Sequence, residues 1–501
     1  MTKQDFHCFH CTKPLNPSNV SADRIDNKKG HIDGNIVISC VECNVARKDM
    51  SLHAFKRKKL MEFNADRLVW SIDEEEKGIY HKMKANIAGG PSIIFHRFAK
   101  RDETFIRDSN KLCKKIIGYD ANALYLWALG NYMPCGRLIT IGPYESILDD
   151  IVNDKLFGFL ECDIETPEHL KEYFSEMCPI FKNIEIDLSN RELIGDHMYD
   201  YNMSQAGRAK KSKKLIGSYF GEKILIYTPL LKWYLDHGLK VKHVYSFIKA
   251  AKFRPFKDFC EQVSDARRNG DKDPNTAMIA EMMKLIGNSA FGRSGMDKSK
   301  HKEVKFHTNA QSLAKLRMLE FYYDCIDYYF DRSDFQYIEM DTDSAYIAFS
   351  TDEPFQTLFK SEVHKNHFEM HTHLWFPRDD TKEHAAYDRR TAGLFKEEWR
   401  GNAIVALSSK NYLCYMPDSE HKQKCSAKGV QKARNGDILN PEGFEGVIRG
   451  KTTLQATNKG FRVDRVSKTI KTYEQVKIGL NYYYDKRRVL EDGISTVPLE
   501  L

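Results

Sequence analysis

The chain has 501 residues, of which 42% are hydrophobic, 12% aromatic and 29% charged. That length and balance exclude a peptide factor and a wholly disordered chain, and they predict roughly three domains or subdomains. Lys and Arg number 77 against 70 Asp and Glu, a formal charge of +7, which permits a nucleic-acid partner without demanding one. The opening MTKQDFHCFH has no apolar signal core, and no run of about 18 apolar residues occurs anywhere, so an intracellular protein that is not secreted and has no membrane partner is expected.

Twelve cysteines are too sparse for a disulfide scaffold, yet four of them form two C-x-x-C knuckles, Cys8 with Cys11 and Cys40 with Cys43. Two knuckles converging on one point supply four thiolates for a structural Zn2+. Between them run Asp23-Arg24, Gly30-His31 and Gly34-Asn35. Over residues 8 to 56 this arrangement resembles an HNH endonuclease module, a ββα-metal fold with a structural zinc beside a separate catalytic Mg2+. The resemblance implies that Asp23 and Asn35, with His31 as a substitute base, form a nuclease site. Arg24 stands where that family places its base His, and a guanidinium does not accept a proton near neutral pH. A module that nicks DNA and a zinc-stabilised DNA-binding remnant are both open.

Residues 57 to 76 read as a charged helical connector, and Gly89-Gly90-Pro91 marks a turn into a strand at Ser92-Ile93-Ile94-Phe95. Residues 205 to 214, QAGRAKKSKK, form a basic run, and aromatic residues interleave with lysines from Leu215 to Trp233. Such a mixture suits a nucleic-acid backbone with stackable bases, and equally a solvated face beside a core helix. His364, His367, His371 and His373 read as a solvated amphipathic segment.

Three separated segments carry chemistry. Lys114 to Asp120 is an apolar strand ending in an acid, followed by helical spacing from Ala121 to Leu129. Tyr337 to Phe349 places two apolar arms around Asp341-Thr342-Asp343, a hairpin with an acidic tip. Asp341 and Asp343 lie two apart, so an extended strand would face both to one side and the turn could tip one of them. With Asp120 they make three hard-oxygen ligands suited to two Mg2+ ions. From Glu281 to Gly292, the i, i+4 spacing puts Lys284 and Asn288 on one helical face, where an ammonium and an amide can meet a triphosphate. Arg267 lies on a preceding helical stretch, across a break from Gly270 to Pro274.

In this order the segments resemble the family B DNA polymerases. The matches are Asp120 to Leu126 for D-x-x-S-L-Y-P, Lys284 to Gly292 for K-x-x-x-N-S-x-Y-G, and Asp341 to Ser344 for D-T-D-S. Gly393 to Glu397, Lys410-Asn411-Tyr412 and Lys428-Gly429 match further. Wording such as DANALYLWAL, GLFKEEW and YDKRRVLEDGISTVPL is similar to the protein-primed branch found in Polinton-like transposons, linear plasmids and viruses. Ala123, Leu126, Phe291 and Glu339 depart from the pattern, and none of them removes a metal carboxylate.

The resemblance implies an α+β polymerase with an antiparallel palm, helical fingers and a thumb. It implies Asp120 and Asp343 on both metals, Asp341 assisting, and Tyr125 as a steric gate against ribose. Lys284, Asn288 and Arg267 would serve the dNTP, and Lys410, Tyr412, Lys396 and Lys428 the primer and template. The expected layout is a zinc module at 1–63, a connector with first strands at 64–118 and palm at 119–165. An insertion follows at 166–255, a candidate contact for a terminal-protein primer, then fingers at 256–297, palm at 298–428 and thumb at 429–501. The Tyr-rich, basic run Tyr482 to Arg488 is expected to help the thumb grip duplex product. No proofreading domain is expected before Asp120, so a separate exonuclease chain becomes a candidate partner beside DNA and dNTPs. The opposing reading is an HNH-type endonuclease or DNA-binding protein carrying an inactive polymerase remnant.

Overall fold

The computed structural model describes residues 7–11, 13–52, 54–55, 58–59, 74–86, 89–107, 109–205, 210–294, 310–417, 419–464 and 468–501. Most of the expected connector helix and residues 206–209 of the basic run lie outside these residues; inside them a helix runs Glu74–Ala85. Two compact units are distinguished, one within residues 1–80 and one holding the described residues from His81 onward.

In the first unit β1 (Val20–Arg24) pairs antiparallel with β2 (Ile36–Cys40), Val20 opposite Cys40 and Arg24 opposite Ile36. The helix α1 (Val41–Arg47) follows without a linker. Among the described residues its core cluster is Cys8, Leu15, Cys40, Cys43 and Phe55, with half-buried Cys11, Val20, Ile38 and Met50 packed against it. So little apolar surface does not hold a unit of this size without another constraint.

The second unit runs β3 (Ser92–Ile94), β4 (Phe98–Lys100), β5 (Lys115–Ala121), α2 (Leu124–Gly130), β6 (Met133–Ile141), β7 (Gly158–Glu165), β8 (Ile180–Asp187), β9 (Lys211–Ser218), β10 (Phe220–Tyr227) and β11 (Lys240–Phe253). Next come α3 (Lys257–Lys272), α4 (Ala277–Ser294), α5 (Ala310–Glu320), β12 (Phe335–Asp341), β13 (Ser344–Phe349), β14 (Phe395–Gly401), β15 (Ala403–Ser408), β16 (Asn411–Met416), β17 (Ser419–Ala427), α6 (Pro441–Gly450), β18 (Thr453–Asp464) and β19 (Thr469–Asn481).

The central sheet has the order β14-β5-β13-β12-β3 and is antiparallel throughout. Every residue of β13 is buried, as is β12 up to Met340, which explains why both read as near-continuous apolar runs instead of alternating. A second sheet, β17-β16-β15-β4, shares the large core with it. A third, β10-β7-β11-β6, draws β6 and β7 away from the central sheet. The strands of residues 133–165, expected in the palm, thus pair with the strands that follow them. Two hairpins stand beside these sheets, β8 with β9 and β18 with β19.

The helices α3 and α4 form an antiparallel hairpin broken by a 3-10 turn over Pro274–Thr276. Gly270 permits the close crossing, since a Cβ there would lie 2.4 Å from that of Ala280. Gly287 is the contact point on the other side, facing Leu126 of α2 and Val263 of α3. The tyrosines of the C-terminal run, expected to help grip duplex, lie in the core. Tyr482 and Tyr484 are buried, Tyr484 accepts from the Ile94 amide, and Arg487 donates to Thr496 and to the Glu176 carbonyl. Aromatic rings with polar tips serve here as core anchors. Among the described residues no helix is long and apolar enough to cross a membrane.

Candidate active site

Strand register brings the separated acids together. Asp120 at the end of β5 lies opposite Ser344 of β13, and Ser344 lies opposite Asp341 at the end of β12. Between Asp341 and Ser344 the chain reverses through Thr342 and Asp343 alone, and the Asp343 amide donates to the Asp341 carbonyl at 2.7 Å. That closes a three-residue turn with Thr342 at φ 63°, a region that β-branched residues avoid. The turn is held from outside: the Thr342 amide donates to the Pro91 carbonyl at 2.8 Å, and Gly90 lies so close that a Cβ there would be 2.4 Å from the Thr342 methyl. The Asp343 carbonyl in turn accepts from Ala121 at 2.7 Å, which fixes the hairpin tip to the strand carrying Asp120. Strain stored this way keeps two carboxylates at one edge.

The electrostatics follow from the crowding. Burial, then the charges of Asp120 and Asp341, push Asp343 up to about 7. Burial also raises Asp120, against the pull of Lys396. The Lys396 Nζ stands 3.0 Å from Asp120 and the Lys410 Nζ 2.9 Å from Asp341. Both lysines, expected on primer or template, are engaged with the acids themselves. Lys410 adopts φ 61° at the start of β16, and its carbonyl accepts from the amide of exposed Lys428 at 3.2 Å.

On the β5 side, Tyr125 of α2 stacks on Phe291 of α4, with ring centroids 3.8 Å apart and planes 13° from parallel. Burial and the nearby Asp343 raise the Tyr125 phenol. Lys284 and Asn288 are exposed on α4. Arg267 is half-buried with its pKa lowered by burial and by Arg390, and it holds no ion pair among the described residues. Its neighbour Arg268 is consumed by Asp265, Thr391 and the Tyr387 carbonyl.

Tyr412 differs from its expected place at the primer. It is 5% exposed, and its hydroxyl meets that of Tyr346 at 3.3 Å beneath the sheet. Glu339, visible in the sequence only as a departure, lies on β12 two residues before Asp341, fully buried, with no hydrogen-bond partner for either oxygen. Burial, then Asp341, holds its pKa well above the usual range.

In the first unit the sulfurs of Cys8, Cys11, Cys40 and Cys43 lie within 4.8 Å of one another. Cys11 and Cys40 are 3.8 Å apart, far too long for a disulfide and equal to the edge of a tetrahedron with bonds of ~2.3 Å. The set fits Zn2+. The expected nuclease residues are not brought together. Asp23 is buried, one oxygen 2.8 Å from the His10 Nε2 and the other 2.6 Å from the Arg47 Nη1. Arg47 also donates to the Met50 and Ile25 carbonyls. Asn35 spends its amide on the Asp26 and Gly30 carbonyls and its oxygen on the Asp26 amide, while His31 is exposed on the loop. Asp23 and Asn35 thus have their polar atoms engaged within the fold. Arg47 and His10 were not singled out in the sequence, because nothing marks a lone Arg after a knuckle as a buried partner.

A family model described as DNA polymerase type B, organellar and viral, matches residues 75–369. No curated protein matches the chain. Among solved structures, phi29 DNA polymerase in an orthorhombic crystal form is 13% identical with a TM-score of 0.48, covering 87% of this chain and 68% of that one. The same polymerase complexed with primer-template DNA is 14% identical with a TM-score of 0.44, covering 90% and 77%. The family match takes in more than half of the chain, including Asp120, Tyr125, Lys284, Asn288 and the Asp341–Asp343 hairpin, and the chain belongs to the type B DNA polymerases of organelles and viruses, DNA-directed DNA polymerases.

Proposed function

We propose that the second unit extends a DNA primer by two-metal nucleotidyl transfer at Asp120, Asp341 and Asp343, replicating a mobile element, plasmid or virus from a protein primer. The observation that carries this reading is the row Asp120, Ser344, Asp341 across three neighbouring strands, with Asp343 pushed up by burial and then by its two acidic neighbours. Hard, mutually repelling carboxylates are a donor set for Mg2+, and the ions when bound supply charge neutralisation for the attacking 3′ oxygen and the leaving pyrophosphate. The chain's own residues align the reactants. Lys284 and Asn288 meet the triphosphate, Arg267 adds a cation across the helical hairpin, and the Tyr125 ring on Phe291 closes the space beside a nucleotide sugar. Lys396 and Lys410, now paired with the acids, are free to turn to DNA phosphates once those acids hold cations. The β18–β19 hairpin, with exposed Phe461, Val463, Ile470 and Lys459 and half-buried Lys477, is the thumb element. Primer extension by purified protein with Mg2+, set against an Asp343→Asn variant, tests the reading, and equal extension by both overturns it.

For the first unit we infer a zinc-held element that contacts DNA without cutting it, because both Asp23 oxygens are engaged. About one zinc per chain is expected by metal analysis. Mg2+-dependent plasmid nicking that survives Asp343→Asn and is lost in Asp23→Ala would instead restore the nuclease.

A further inference from the structure

We propose that the cavity walled by Lys214, Ser408, Ser409 and Lys486 is a phosphodiester-binding subsite that seats the primer strand next to its reacting 3′ end. The inference rests on the polymerase reading and adds a site to it. The cavity measures about 390 Å³ and is built from three distant parts of the chain: β9, the β15–β16 turn and the segment after β19. Its position is fixed by one residue. Ser92 of β3 lies directly opposite Asp341, and its carbonyl accepts both the Lys486 Nζ at 2.8 Å and the Ser409 Oγ at 2.9 Å. The cavity therefore adjoins the Asp341 end of the acid row.

Its chemistry is that of an anion site. Asp485 lies 2.9 Å from Lys214, while Lys486, which feels the charges of Asp485 and Asp341, has its Nζ on the Ser92 carbonyl and forms no ion pair among the described residues. Ser212 and Ser408 add hydroxyl donors. Burial, then the Lys214 charge, brings Lys486 down to about 8, and a bound phosphate would relieve both effects. The side of the sheet selects the occupant. Tyr125, Phe291 and Lys284 gather on the β5 side, whereas the cavity lies beyond β3 at the opposite edge. A nucleotide held on the first side leaves the second to the strand that supplies the attacking hydroxyl.

The test measures binding apart from catalysis. Anisotropy of a labelled primer–template duplex is followed over a salt series with the full chain, Lys486→Gln, Lys214→Gln and Lys486→Arg. Glutamine keeps a donor for the Ser92 carbonyl, and Lys214 is at the cavity rim, so at least one variant remains folded by thermal melting. Each Gln variant is expected to weaken duplex binding about fivefold and to lower the salt slope by about 1, with Lys486→Arg within about twofold of wild type. The KM for dNTP stays within about twofold. Unchanged slopes in both folded Gln variants overturn the subsite, as does a raised KM for dNTP with duplex binding intact. An equal loss on template strand alone overturns the assignment to the primer. A wild type that binds duplex with these losses yet extends nothing sinks the polymerase reading and leaves the subsite standing.

Discussion

Asp343 and Asp23 both sit in motifs that point to metal ligation, and the molecule treats them in opposite ways. Asp23 is enclosed by His10 and Arg47, each of its oxygens within 2.8 Å of a donor. Asp343 is pressed between Asp120 and Asp341 and pushed up to about 7. One carboxylate has its charge answered by the fold, while the charge of the other is opposed by burial and by its neighbours. The contrast teaches that the type of residue in a motif is a weaker guide to activity than whether its charge remains unanswered, because a ligand must be available to an ion and a structural acid must not.

The widest separation between the two acids is expected in activity. Asp343→Asn removes a carboxylate from the acid row and should lower primer extension about 10³-fold or more, read in single-turnover assays. Asp23→Ala should leave extension unchanged. A loss of extension in Asp23→Ala, or none in Asp343→Asn, breaks the comparison.

The next effect is on stability and has the opposite sign at the two sites. Asp23→Ala strands a buried guanidinium and should cost the first unit about 3–5 kcal/mol, seen as loss of hydrogen-exchange protection over β1 and α1. Asp343→Asn relieves repulsion and should raise the melting temperature of the second unit in EDTA at pH 8.

The third effect is the pH dependence behind that gain. The folded pKa of Asp343, about 7, lies above its ordinary 3.8, so the native state holds the proton more tightly than the unfolded chain. This contribution to stability in EDTA is therefore full below about pH 4 and is lost as pH rises through 7, by on the order of 4 kcal/mol. Mg2+ should recover more stability at pH 8 than at pH 5, and Asp343→Asn should flatten the profile. A profile that rises over this interval in EDTA contradicts the crowded-acid geometry.

The acid row was legible in the sequence because strand periodicity and a two-residue acidic tip are local signals, and the β12–β13 hairpin and α4 fell where those signals put them. What escaped was non-local. Nothing near Gly158 announces that β7 pairs with β10 and β11 instead of extending the central sheet. Nothing near Tyr482 distinguishes a tyrosine that lies along DNA from one that anchors Arg97 and His197 in the core. Lys486 was read as part of a basic run, and only the register of β3 reveals that it stands beside Asp341. Composition shows which residues favour DNA; pairing across hundreds of positions decides which of them reach it.

The smallest effect separates two neighbours in one short motif. Lys410, half-buried beside Asp341, precedes the strand at φ 61°, and Tyr412, two residues further along, is inside. Its hydroxyl meets only the Tyr346 hydroxyl, at 3.3 Å, and Tyr346 lies over Gly118 so closely that a Cβ there would be 2.4 Å from the ring. The tyrosine ring therefore fills space under the sheet that carries Asp120. Tyr412→Phe keeps the ring and should cost about 1 kcal/mol for the lost hydroxyl pair, with duplex affinity within about twofold of wild type. Tyr412→Ala, by opening a cavity beneath the acid row, should cost several times more and lower extension without weakening duplex binding. A Tyr412→Phe variant that is fully stable yet releases primer–template about tenfold more readily would move this hydroxyl from the core to the DNA, and would mean that the sheet opens around it when the duplex is bound.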